Sequence, residues 1–188
     1  MNVEEIFTRI SAHMIEGMMK HEQLADYYDF LYLDGFCCSH KYRYLCETYN
    51  RSKIHNFYIN QYNKLIPDTA VNAVNFIPAT WYKATRMDVD PTTKKTAVKT
   101  GFTEWHNWEK STVKAYTDMH KILVELGENA AAEMIEWLIG ESEKEIKFAE
   151  KMIIYLNAIG YDLAEIYSIQ NEIEQTYSQK MHCLAEKI

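Results

Sequence analysis

Proline and glycine are scarce in this chain, with 3 and 6 copies respectively among 188 residues. Folds built from β-strands need these residues at their many chain reversals, and average proteins contain clearly more of both. The composition therefore predicts an all-α protein. Because 47% of the residues are apolar, the chain also has enough material for one hydrophobic core in a single domain, 1–188.

Three further features are missing, and each excludes a class of protein. The net charge is −7 and no Lys/Arg cluster occurs, which argues against binding to nucleic acid. No run of about 18 uncharged apolar residues is present, and the first residues, MNVEEIFTRI, carry acids where a signal peptide carries bases. None of the 4 cysteines forms a CxxC pair, so we expect free thiols. These features predict a cytoplasmic protein that binds neither membranes nor nucleic acid.

Helix-breaking residues divide the chain into five helical segments. Gly35, Gly127 and Gly160 each follow a long amphipathic run, as a left-handed C-terminal cap does. Asp90 followed by Pro91 is typical of a helix start. The predicted helices run from Val3 to Leu33, from Ser39 to Leu65, from Pro91 to Leu126, from Asn129 to Ile159 and from Asp162 to the C-terminus.

The lengths of the connections predict how these helices are arranged. Residues 1–65 and 91–159 each contain two helices joined by a tight turn, so each pair is expected to form an antiparallel hairpin. The segment 66–90 is long enough to run the length of a bundle. This is the topology of a ferritin-like four-helix bundle with a long crossover, extended by an additional C-terminal helix over 160–188. The apolar stripe of that last helix must pack on the bundle or on a second subunit, and we predict a homo-oligomer.

A carboxylate interrupts the apolar stripe of the third helix. Glu109 lies among Phe102, Trp105 and Tyr116 at helical spacing. An isolated carboxylate in an apolar layer is costly unless it is protonated, paired or bound to a metal ion. Glu109 therefore needs a partner.

The other three helices also carry polar residues on their inward stripes near the middle of the bundle. These residues are His21 with the adjacent Glu22, His55, and Glu145. Carboxylate and imidazole groups are suitable ligands for iron, manganese or zinc, and a bundle core can hold two such ions. Together with Glu109 they predict a metal site. A buried hydrogen-bond network without metal would explain the same pattern.

The third and fourth helices resemble those of the ferritin and bacterioferritin family. The similar segments are WEKSTVKAYTDMHKI, which contains Glu109, and GESEKEIKFAE on the fourth helix. The resemblance implies iron as the metal and oxidation of Fe(II) by oxygen or peroxide. It aligns the family's paired ligand positions with Ser52 and His55 on the second helix and with Ser142 and Glu145 on the fourth. Because serine is a poor iron ligand, the site could also hold one ion or none.

Three functions are compatible with the sequence. The first is a ferritin-like metal-binding protein that acts in iron oxidation, iron storage or a related oxidative reaction. The second is a non-catalytic bundle with a decayed metal site that serves as a binding or structural module, and the two serines favour it. The third is a helical enzyme that binds an aromatic cofactor or small substrate in a pocket lined by Trp81, Trp105, Trp108 and Glu109.

Overall fold

Five long α-helices make up the computed structural model, which describes residues 1–185. They are α1 (Val3–Phe30), α2 (Asp34–Tyr62), α3 (Pro91–Glu125), α4 (Asn129–Ala158) and α5 (Leu163–Ala185). Within the described range there is no β-strand, and none of the helices is long and apolar enough to cross a membrane. The predicted all-α architecture with a long crossover between the second and third helices is confirmed.

The turn between α1 and α2 is shorter than predicted and comes earlier in the chain. Only residues 31–33 separate the two helices, so α1 ends before Leu33 and α2 begins before Ser39. The left-handed residue of this turn is Tyr32, with φ of 58°, and not Gly35. Leu31 and Leu33 on either side are fully buried, so the turn is anchored in the core. At its other end, α2 stops before the predicted residue 65.

Gly35 lies inside α2 because another helix approaches its backbone. A β-carbon at this position would come within 1.9 Å of the carbonyl oxygen of Gln170 on α5. The Gln170 side chain also accepts a hydrogen bond from the Gly35 N–H at 3.2 Å. Close contact between α2 and α5 therefore requires glycine, for steric reasons and not for backbone conformation.

The later helix boundaries agree with the sequence analysis. Asp90 caps α3 by accepting hydrogen bonds from the N–H groups of Thr92 at 2.8 Å and Thr93 at 3.0 Å. Gly127 and Gly160 adopt the left-handed conformation after α3 and α4, with φ of 76° and 60°. Glycine adopts this conformation without a steric penalty, which is why both hairpin ends were predictable.

The crossover runs along α1. The Asn72 N–H donates to Glu16 at 2.9 Å, and the Phe76 N–H donates to Gln23 at 2.7 Å. Further along, the Trp81 ring stacks on Tyr27 with 4.7 Å between ring centroids. The segment therefore follows α1 toward its C-terminal end and covers one side of the bundle.

The core consists of two apolar clusters. One lies near the 31–33 turn and includes Tyr28, Phe102 and the apolar side of α5. The other lies toward the opposite end and includes Phe7 and Ile135. Polar side chains from α1 to α4 occupy the level between them. The apolar stripe of α5 packs against α2 of its own chain, so it does not need a second subunit to cover it.

We expect Gly35→Ala to destabilise the protein by about 1 to 3 kcal/mol, the usual cost of overpacking. The new methyl group would push α5 away from α2. Thermal unfolding followed by circular dichroism measures the change. Gly140→Ala is the matched control, because Gly140 also lies inside a helix but has nothing within 4 Å of an added β-carbon. That control should be neutral or slightly stabilising. Equal melting temperatures for the wild type and Gly35→Ala would contradict the steric explanation.

Candidate functional site

Polar side chains from four helices converge at one level between the two apolar clusters. We call this group of side chains the polar layer. Its members are His21 on α1; His40, Arg43 and Glu47 on α2; Glu109 on α3; and Ser142 and Glu145 on α4. Beside it is a cavity of about 220 Å³, lined by all of these residues except His40. The layer is the strongest candidate for a functional site.

Glu109 is buried as predicted, with 2% of its surface exposed. Its Oε1 atom has no hydrogen-bond partner and lies 3.6 Å from Nε2 of His21. Burial, followed by repulsion from Glu145, raises the pKa of Glu109 to about 8. The carboxyl group is therefore mostly protonated at neutral pH.

Glu47 is a second carboxyl group in the cavity with a raised pKa, and the sequence analysis did not identify it. It lies against Gly17 of α1, where a β-carbon would come within 3.6 Å of the Glu47 Cδ atom. Burial, followed by repulsion from Glu109 and then from Glu145, raises the pKa of Glu47 to about 8. Two neighbouring acids thus hold protons that a cation could displace.

His21 and His40 form a buried pair of neutral imidazoles. Their Nδ1 atoms are 3.1 Å apart, so one of them must donate and the other accept. Burial lowers the pKa of His21 to about 3, and it also lowers that of His40 well below its ordinary value. If the Nδ1 of His21 donates, its Nε2 presents a lone pair toward Glu109.

Arg43 occupies the middle of the polar layer and is almost fully buried. Its Nε donates to the Glu145 carboxylate, and its other nitrogens donate to the Ser39 carbonyl at 2.7 Å and the Tyr177 hydroxyl at 3.0 Å. The guanidinium carbon lies 4.1 Å from the centre of the Trp105 ring. A fixed positive charge therefore stands in the layer where the sequence analysis expected a metal ion.

The structure brings together only part of the predicted ligand set. His21, Glu109 and Glu145 lie in the polar layer, whereas Glu22 is exposed on the outer side of α1. His55 lies elsewhere, with its Nε2 atom 2.9 Å from Ser11 Oγ. Over the described residues, no three His, Cys, Asp or Glu side chains are placed to hold a metal ion as they stand.

The position of the first turn explains where His55 lies. Antiparallel helices place residues at the same level when they are equally distant from the turn, at 1.5 Å per residue. With the turn at residues 31–33, the level of His21 corresponds to Arg43 on α2. His55 is more than ten residues further along the helix. A turn centred after Gly35 would instead bring His55 close to the level of His21 and place Glu47 away from it. This is why the sequence pattern favoured His55 and not Glu47.

The tryptophans of the third hypothesis do not share a pocket. Trp105 is fully buried in the core, Trp108 stacks on His13 with ring centroids 4.7 Å apart, and Trp81 packs on the outside of α1. None of the three lines the central cavity, which weakens the hypothesis of an aromatic pocket.

Solved structures similar to this chain include archaeal ferritins. An engineered closed form of the Archaeoglobus fulgidus ferritin is 17% identical with a TM-score of 0.75, and the match covers 91% of this chain and 93% of that one. The open-pore ferritin of the same archaeon is 16% identical with a TM-score of 0.74, covering 90% and 93%. A humanized archaeal ferritin is 16% identical with a TM-score of 0.74, covering 91% and 94%. The chain has the ferritin-like fold.

The sequence itself gives no closer match. No family model matches it, and no curated protein does. The similarity to ferritins is one of backbone fold, and it extends over nearly the whole chain.

The metal-free protein should lose about 1 to 2 kcal/mol of stability between about pH 7 and about pH 8. In this range the native state keeps protons on Glu47 and Glu109, whose pKa values of about 8 compare with 4.5 for the ordinary group. The unfolded chain has already released these protons, so raising the pH favours unfolding. The buried histidines have little influence in this range, because histidine in the unfolded chain, with a pKa of 6.5, is already mostly neutral above pH 7 and so matches the neutral native state.

Urea unfolding of chelator-treated protein at the two pH values measures this loss. Glu109→Gln should remove at least half of it, because the substitution also takes away the repulsion that helps to raise the pKa of Glu47. Glu104→Gln, an exposed position on the same helix, should leave it unchanged. A wild-type stability that is constant or rises over this range would show that these carboxyl groups are ionised in the native state.

Proposed function

We propose that the protein binds one divalent transition-metal ion, with iron as the principal candidate, in the polar layer of its ferritin-like bundle. The observation that supports this most directly is the Oε1 atom of Glu109, which is buried, lacks a hydrogen-bond partner and faces His21. A buried acceptor without a partner is costly, and a cation would satisfy it. Glu109, Glu47 and the Nε2 atom of His21 are the proposed ligands.

The charges in the polar layer fit one divalent ion. Glu47, Glu109 and Glu145 carry three negative charges when they are ionised, and Arg43 supplies one positive charge. One divalent ion would make the layer neutral, whereas two would leave an excess of two positive charges. Glu141 at the cavity is not counted, because it pairs with Lys144 at 2.5 Å.

Without a metal ion, the same balance is reached by protons. The raised pKa values of Glu47 and Glu109 mean that both are mostly protonated at neutral pH, which leaves Glu145 paired with Arg43. Binding would exchange two protons for one divalent ion and would require movement of the Glu47 and Glu109 side chains.

Bound iron would supply one-electron transfer to oxygen or peroxide, the chemistry that the resemblance to ferritins implies. The protein residues would hold the ion and restrict the access of water. The exchange of two protons makes binding stronger as the pH rises, because the ligand carboxyl groups must be ionised. Iron oxidation, storage or a related oxidative reaction therefore remains our first functional proposal.

A non-catalytic bundle is the alternative, and the contacts of Arg43 favour it. This residue already satisfies Glu145, which is the ligand position predicted on α4. In this case the polar layer is a hydrogen-bond network that fixes the packing of α2, α4 and α5, and the protein acts as a binding or structural module.

Assembly and location are further proposals. Exposed apolar residues, including Ile154 with 70% of its surface exposed, are compatible with a homo-oligomer. A mass equal to one chain in light scattering would contradict assembly. We also propose that the protein works in the cytoplasm, in agreement with its free cysteines.

Anaerobic titration with Fe(II), followed by calorimetry, tests the proposed function. We expect one ion per chain for the wild type, at least tenfold weaker binding for Glu109→Ala, and unchanged binding for Glu104→Ala. Admission of oxygen should then oxidise the bound Fe(II) in the wild type. Mutation of a residue that merely orients a metal ligand typically costs about tenfold to a hundredfold in metal affinity or activity, so loss of a ligand itself should cost at least as much.

Absence of metal uptake by the wild type would reject the proposed function. The non-catalytic alternative would then gain support if Glu109→Leu raised the melting temperature, because an unused buried acid is destabilising. A decrease in melting temperature would show instead that Glu109 has a structural role.

A further inference from the structure

The structure assigns to Arg43 the role of a built-in cation that limits the site to a single divalent ion. This inference rests on the proposed function, because it concerns the capacity of the same polar layer. Arg43 pairs with Glu145 and thereby takes one of the three acids away from metal binding. The guanidinium thus stands in place of a second metal ion.

The contacts of Arg43 hold the charge in a fixed position. Its donors are directed to a carboxylate, a main-chain carbonyl and the Tyr177 hydroxyl, each from a different helix. Its guanidinium also packs on the aromatic faces of Trp105 at 4.1 Å, Tyr177 at 4.9 Å and Phe148 at 5.1 Å. A charge with this many partners cannot move aside for an incoming ion without breaking several of them.

The C-terminal helix completes this arrangement. Tyr177 lies on α5. Its ring packs against the Arg43 guanidinium, and its hydroxyl accepts a hydrogen bond from Arg43. The close approach of α5 to Gly35 keeps this helix against α2. The position of α5 is therefore coupled to the charge in the polar layer.

Electrostatics explains why the arginine excludes a second ion. The polar layer with one divalent ion and Arg43 is already neutral, so another ion would enter a region with no remaining net negative charge. Replacing the arginine by glutamate would supply four acids and no fixed cation. That set of charges matches two divalent ions.

Anaerobic titration with Co(II), followed by its absorbance and by calorimetry, tests this inference. We expect one ion per chain for the wild type and for Arg43→Lys, which keeps the charge. Arg43→Glu should bind two. Arg43→Gln should bind its first ion at least about tenfold more tightly, because a nearby positive charge has been removed.

Arg51→Glu and Arg51→Gln are the matched controls. Arg51 lies two turns further along α2, donates to Ser11 at 3.1 Å and does not line the cavity. Both control variants should resemble the wild type in stoichiometry and affinity. Circular dichroism reports whether each variant folds, and the affinity of Arg43→Gln decides the matter if Arg43→Glu does not fold.

The two proposals fail in different ways. Two ions in the wild type would overturn the role of Arg43 but leave metal binding intact. One ion in every variant, with unchanged affinity for Arg43→Gln, would likewise overturn the role of Arg43 and leave metal binding intact. No ion in the wild type but binding by Arg43→Gln or Arg43→Glu would support Arg43 as the replacing cation and reject the proposed function. No ion in any folded variant would overturn both.

Discussion

Ionisable groups in the interior of a helical bundle are tolerated only when their charges balance, and this constraint governs the middle of the protein. Two apolar clusters account for most of the core, and the polar layer separates them. Within that layer, the buried Arg43 pairs with the partly exposed Glu145, while Glu47 and Glu109 are close enough to repel each other when both are ionised. The buried histidines stay neutral. A cation and two protons therefore balance three acids, and any added metal ion must displace those protons.

The same constraint links the ends of the chain to its centre. A buried arginine needs more partners than one carboxylate, and the last helix supplies one of them through Tyr177. That helix can reach Arg43 only because Gly35 leaves room for its backbone. In this way α5, which lies outside the four-helix bundle, contributes to the electrostatics of the interior. Its apolar stripe is covered by its own chain, so the case for a second subunit depends on other exposed residues.

The sequence was sufficient for the fold because its strongest signals are local. Gly127 and Gly160 adopt the left-handed conformation that their positions predicted, and Asp90 caps α3. That Glu109 and Glu145 lie at the same level of the bundle was predictable, because Gly127 marks the turn between α3 and α4. The first turn was misplaced because Tyr32, a residue that rarely adopts a positive φ, forms it, while Gly35 is needed for packing between helices distant in sequence. With the turn misplaced, His55 was predicted to lie at the level of the metal site, and Glu47 and Arg43 were not identified.

The central claim is that one divalent ion replaces two protons in the polar layer. Calorimetric titration with Fe(II) at about pH 6.5, in buffers with different ionisation enthalpies, measures the protons released per bound ion. Since Glu47 and Glu109 have pKa values raised to about 8, the account predicts release of about two protons per ion. Binding of an ion without proton release would contradict it, because the acids would then already be ionised in the metal-free protein.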